Sequence, residues 1–203
     1  MSKARETKTR IVEQAAILFN ERGYAGSSMS DLMRVTGLQK GGIYNHFRSK
    51  DELALEAFDF AASRVQQKFM GALKGKRYAI DRLLAIIGVY DRMLEDPPVR
   101  GGCPILNTAV ESDDTHPALR ERVQLAVDSW RDLIHRIVDK GIERGEINAD
   151  VNADSVATIL IATIEGGVML SKLYGDNSYL ERALDHLKTY VRQQLAGNGS
   201  LGG

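Results

Sequence analysis

Gln39, Lys40, Tyr44, Asn45 and His46 crowd two amide side chains, an ammonium, a phenol and an imidazole into eight residues. As a set they suit hydrogen bonding rather than bond making. Amide side chains pair with the edge of adenine, while ammonium, hydroxyl and imidazole groups meet phosphate oxygens. Gly41 and Gly42 stand among them, although each costs a helix about 1 kcal/mol relative to alanine. Two glycines in so short a helix make sense where backbone must approach another surface closely. Upstream, Ser28 offers a hydroxyl and helix-start amides to a phosphate, and downstream Lys50 adds positive charge.

Catalytic patterns are missing. The chain has no phosphate-binding glycine loop, no HExxH and no cysteine cluster. Its four histidines, His46, His116, His135 and His186, are scattered, with no pair at i, i+4. The sequence therefore predicts no enzyme, no metal and no cofactor. One cysteine, Cys103, excludes an internal disulfide and fits a reducing cytoplasm; it has a structural reading and a redox-sensing one.

These side chains need a scaffold, and the apolar spacing predicts an all-α one with about nine helices. The first runs from about Lys8 to Arg22, with Ile11, Val12, Ala15, Ala16, Leu18 and Phe19 at helical spacing and Gly23 ending it. Ser27 or Ser28 caps the second, Gly37 turns the chain, and Leu32, Val35, Leu38, Ile43 and Phe47 face a small core. Two short helices about a tight turn, the second with polar groups outward, form a helix-turn-helix. Ser49–Glu52 reads as a capping box opening a helix to about Lys74 that leaves this module as a strut.

Further helices are expected over about 78–94, 105–112 and 117–143, an eighth capped by Asn152 or Asp154 and running to about Tyr174, and a ninth marked by Leu180, Leu184, Leu187, Val191 and Leu195. The predicted division is a DNA-binding domain over 1–52, a larger helical domain over 53–196 that pairs and regulates it, and a disordered tail over 197–203.

Net charge is zero, but residues 1–50 carry nine Lys/Arg against four acids. A basic end on an acidic body suits docking to DNA by one end. No stretch approaches the roughly 20 apolar residues of a membrane span, so the expectation is a cytoplasmic protein with no membrane partner.

Gly23-Tyr24, Ser28-Met29-Ser30-Asp31-Leu32, Gly37-Leu38, Lys40-Gly41, Ile43-Tyr44, His46-Phe47 and Ser49-Lys50-Asp51-Glu52-Leu53 together resemble the DNA-binding module of the tetracycline-repressor (TetR) family. The resemblance covers about residues 8–55. It implies a homodimeric transcriptional regulator, usually a repressor released from a pseudo-palindromic operator by a small molecule. Position by position it assigns base reading to Lys40, Gly42, Tyr44 and Asn45, and phosphate contacts to Ser28, Tyr44, His46 and Lys50. Gln39, Gly42 and Asn45 depart from the residues usual in the family, which leaves the operator sequence open. A helical adaptor whose helix-turn-helix has lost DNA is the competing reading, and the retained Tyr44, His46 and Lys50 argue against it.

The eighth helix, apolar around most of its circumference, must be buried on two sides. The ninth supplies a seam beside it, so two chains are expected to pair through helices eight and nine as a four-helix bundle, with Ala162, Gly166 and Gly167 permitting close approach. A sizeable effector cavity is expected among helices five to eight, its wall drawn from Tyr90, Cys103, Leu106, Asn107, Trp130, Ile134, Glu165 and Met169. Glu165 has two readings: a carboxylate that meets a cationic ligand, or one that pairs with an arginine or borders the dimer seam.

Overall fold

The computed structural model describes residues 2–93 and 95–197. These residues form nine α-helices: α1 (Lys3–Arg22), α2 (Met29–Thr36), α3 (Lys40–Tyr44), α4 (Lys50–Leu73), α5 (Ala79–Gly88), α6 (Pro104–Ser112), α7 (Pro117–Glu143), α8 (Ala153–Tyr174) and α9 (Ser178–Tyr190). A π-helical turn over Val191–Leu195 ends α9, and an isolated bridge joins Ile147 to Ala196. The all-α expectation holds.

Boundaries move where apolar periodicity is silent. Helix α1 starts at Lys3 rather than near Lys8, because Ser2 caps it by accepting the Arg5 N–H. Its first turns are polar and carry no core-facing stripe. Helix α5 stops at Gly88 rather than near Leu94, and the Val89 and Tyr90 amides turn back to Ile86 and Ile87. Glycine has little helix propensity, and such tightened turns use up carbonyls at a helix end.

The chain divides into two compact units, Met1–Val65 with Pro97–Ala126, and Gln66–Asp96 with Val127–Gly203. The helix-turn-helix expected over 1–52 is thus one part of the first unit, packed together with the first half of α4 and with 97–126. Its core gathers Ile11, Ala15 and Leu18 of α1, Leu32 of α2, Ile43 of α3, Phe47, and Leu53 and Ala57 of α4. Val99 joins them from the loop before α6.

In the second unit, α8 lies along α9, and the α9 stripe Leu180, Leu184, Leu187, Val191 and Leu195 is buried within the chain. That stripe is therefore not the free seam the sequence suggested. Gly167 is likewise used inside the chain: a Cβ there would lie 3.0 Å from both Ala183 Cβ and Leu180 Cδ1. Ser171, also buried, accepts the Leu180 N–H at 2.8 Å. Exposed instead is a second face of α8, where Ile159, Ala162, Leu170 and Leu173, with the half-buried Gly166 among them, recur at helical spacing.

Two further expectations need correction or restriction. Helix α8 is, by length and composition, long and apolar enough to cross a membrane, contrary to the sequence reading. Its alanines, glycines and threonines hide this from a search for bulky apolar residues. Of the tail expected over 197–203, Gly197 donates its N–H to Glu146 O at 3.0 Å; residues 198–203 lie outside the described residues.

Candidate DNA-binding and effector sites

Helix α2 is fixed at both ends. Ser28 Oγ accepts the Asp31 N–H, and the Asp31 carboxylate accepts the Ser28 N–H at 3.0 Å and its hydroxyl at 2.6 Å. This closes a capping box. The Ser28 bonds, then the Arg34 guanidinium, hold the Asp31 carboxyl down at about 2. Ser28 therefore caps the helix as expected, but its hydroxyl proton and amide are already used. The first-turn N–H groups of Met29 and Ser30, which have no intrahelical partner, are what remains for a phosphate. Gly37 closes α2 with φ 68°, a left-handed conformation that favours glycine.

Helix α3 buries Ile43 and leaves Gln39, Lys40, Gly41, Tyr44 and Asn45 exposed. Tyr44 is 42% exposed, with the Lys40 ammonium 5.8 Å from its ring centre. His46 is half-buried beside Phe47, which belongs to the core. A Cβ added at Gly41 would meet nothing within 4 Å, and one at Gly42 would make ordinary contact with Leu38. The fold itself does not require either glycine.

Lys50 is turned inward. Its ammonium donates to Tyr24 O, lies 4.0 Å from the Tyr24 ring centre, and has its pKa lowered by burial. Ser49 Oγ caps α4 by accepting the Glu52 N–H, but Glu52 bonds the Arg48 amide instead of completing the box at Ser49.

Sequence reasoning missed how the turn after α1 is held. Glu111 of α6 accepts the Tyr24 and Ala25 N–H groups, each at 2.8 Å. Tyr24 donates its hydroxyl to Asp51 and packs edge-on against His116. Burial, reinforced by the Asp51 carboxylate, pushes the Tyr24 phenol up to about 12. Asn20, buried in α1, donates to Arg100 O at 2.9 Å and Gly102 O at 3.1 Å, and accepts from Asn107 Nδ2 at 2.8 Å. Gly101 (φ 109°) passes so close that a Cβ would sit 2.7 Å from Asn20 O. A polar residue on the apolar face of α1 was the available signal.

Of the eight residues expected around an effector, Tyr90, Trp130, Ile134 and Glu165 line one cavity in the second unit, with Phe69, Ile86, Leu133, Leu160, Ile161 and Ile164. Phe69 sits between the Tyr90 and Trp130 rings, at 6.0 and 5.3 Å. The rings fill the space, so the cavity holds about 20 Å³, not the sizeable volume expected. That is room for about one water. Cys103, Leu106, Asn107 and Met169 are not among its lining residues: Cys103 caps α6, Leu106 is half-buried on α6, Asn107 is bonded to Asn20 and Gly101, and Met169 is 50% exposed on α8.

Comparison with known proteins gives the same fold throughout. Residues 11–57 match "Bacterial regulatory proteins, tetR family", and residues 79–187 match "Tetracyclin repressor-like, C-terminal domain". A TetR transcriptional regulator from Chloroflexus aurantiacus J-10-FL is 51% identical, covering 97% of this chain and 100% of its own, with a TM-score of 0.94. A regulator from Saccharomonospora viridis, solved in complex with choline, is 25% identical over 96% of this chain and 100% of its own, with a TM-score of 0.79. The HTH-type transcriptional repressor DhaR of Mycobacterium sp. (strain GP1) is 27% identical over 87% of this chain and 88% of its own. With a helix-turn-helix head of this geometry and both halves matched, the chain belongs to the TetR family of DNA-binding transcriptional regulators.

Proposed function

We propose that the chain acts in the cytoplasm as a homodimeric repressor that a small molecule releases from a pseudo-palindromic operator. The observation that carries the reading is the outer side of α3. Five positions are exposed there, Gln39, Lys40, Gly41, Tyr44 and Asn45, and the fold has no need of a glycine at Gly41 or at the half-buried Gly42 beside it. Gln39, Lys40, Tyr44 and Asn45 read base edges across Gly42, and His46 and the α2 first turn grip phosphates. Lys50 sets the Tyr24 turn and spares its remaining donors for the backbone of the duplex. Repression as the sense of control is supported by the related repressor DhaR.

Two copies pair through the α8 stripe of Ile159, Ala162, Gly166, Leu170 and Leu173, with the polar outer side of α9 at its edge. The pairing spaces the two reading helices. Effector binding opens the cavity bounded by Phe69, Tyr90 and Trp130. Three aromatic rings and the Glu165 carboxylate on an otherwise apolar wall favour a lipophilic cation. Choline, bound by the Saccharomonospora viridis relative, is a quaternary ammonium cation, the charge type that aromatic rings attract. Helix α4 runs from the first unit into the second and carries the change; a coupling of about 1–3 kcal/mol is typical.

Footprinting on the DNA upstream of the protein's own gene tests the reading. Two protected half-sites centred about 34–36 Å apart, or a near multiple, are expected. An absence of protection even in dilute buffer would refute it. Glu165→Gln is expected to keep operator affinity while losing release by a quaternary ammonium ligand; unchanged release would remove Glu165 from the effector site.

A further inference from the structure

A groove of about 390 Å³ runs between the start of α5 and the C-terminal half of α7, far roomier than the aromatic cavity. Arg77 and Arg82 approach it from the α5 side, Arg136 and Lys140 from successive turns of α7, and Arg144 from just past the end of α7. Its one acid is Glu146, whose carboxylate accepts the Ala79 N–H at the head of α5 and lies 3.9 Å from Arg144. Arg77, Arg136 and Lys140 enter no ion pair among the described residues. Asp81, Asp132, Asp139 and Glu143 are exposed on the same helices but are not among the lining residues. The floor, by contrast, is apolar, formed by Ala79, Leu133 and Ile137.

We propose that this groove is a second ligand site, for an organic polyphosphate of nucleotide size. Five cations against one carboxylate call for several negative charges held close together. The four arginine forks match phosphate oxygens in pairs. The apolar floor suits a flat organic group attached to them. Leu133 of this floor also lines the aromatic cavity; on the effector reading proposed above, occupants of the two sites share that side chain. A ligand of one site thereby biases binding at the other.

Titration calorimetry of the full chain with ATP at low salt tests the assignment. One ATP per chain is expected, with tripolyphosphate competing for the site and adenosine failing to bind. Arg136→Ser combined with Lys140→Ser, both at exposed positions, is expected to weaken ATP by about tenfold, as two partly exposed charge pairs warrant. The same variant keeps its operator footprint, which separates this site from the reading head. No heat with ATP overturns the proposal. So does undiminished ATP affinity in the double variant, or adenosine binding as tightly as ATP.

Discussion

Glu111 and Tyr24, 87 residues apart in sequence, meet where the Glu111 carboxylate accepts the Tyr24 amide at 2.8 Å. The second oxygen takes the Ala25 amide, so one carboxylate closes the turn between α1 and α2. Gly23 permits the approach: with φ 78°, a Cβ there would lie 2.8 Å from Glu111 Oε1. Helix α6 thus grips the reading head at its first bend.

Removing that grip has a measurable cost. Hydrogen bonds to a charged group contribute about 1.5–3 kcal/mol each, less when partly exposed. Glu111→Ala is expected to lower unfolding stability by about 2 kcal/mol, and Glu111→Gln, which keeps one acceptor, by roughly half that. Urea denaturation of the three proteins checks the order, and equal stability of wild type and alanine variant contradicts it.

Gly42→Ala separates fold from function. The fold accommodates the new methyl, and helix propensity favours alanine by up to about 1 kcal/mol. The variant is expected to melt at or above the wild-type temperature yet bind its operator about tenfold or more weakly, since a methyl would then stand between backbone and duplex. Unchanged gel-shift affinity would mean that α3 does not approach DNA at this glycine.

Acid sensitivity of the head is expected to trace to Asp31. Its carboxyl is held at about 2 by the Ser28 bonds and Arg34, against about 3.9 in an unfolded chain. A depressed folded-state pKa gives a contribution that is complete above the unfolded value and lost as pH falls through the folded one. The stability difference between wild type and Asp31→Asn is therefore expected to stay level from neutral pH to about 4 and then shrink towards about 2. Denaturation curves across that range provide the check; a difference that grows on acidification reverses the sign.

Association is expected to fail when the α8 stripe is charged. Leu173 is 71% exposed in the single chain, so Leu173→Glu should leave the fold intact. Burying a carboxylate against an apolar partner face costs several kcal/mol. Sedimentation is expected to show a dimer for wild type and a monomer for the variant. A wild-type monomer at micromolar concentration would remove α8 as the pairing surface.

Much of this molecule is written locally. Capping serines, the glycine at Gly37 and three- and four-residue apolar spacing depend on neighbours a turn or two away, so the helices and the helix-turn-helix were legible from order alone. So was the polar outer side of α3, which needs only helical phase. The tertiary structure decided the rest, because burial and hydrogen-bond partners are set by residues distant in sequence. Asn107, read as a cavity wall, is bonded to Asn20; Gly167 and the α9 leucines, read as surfaces for a partner, pack within the chain. An apolar stripe tells that a helix is covered, never by what. The same holds for charge: Lys40 and Lys50 look alike in sequence, but only folding turns one outward and lays the other on the Tyr24 ring.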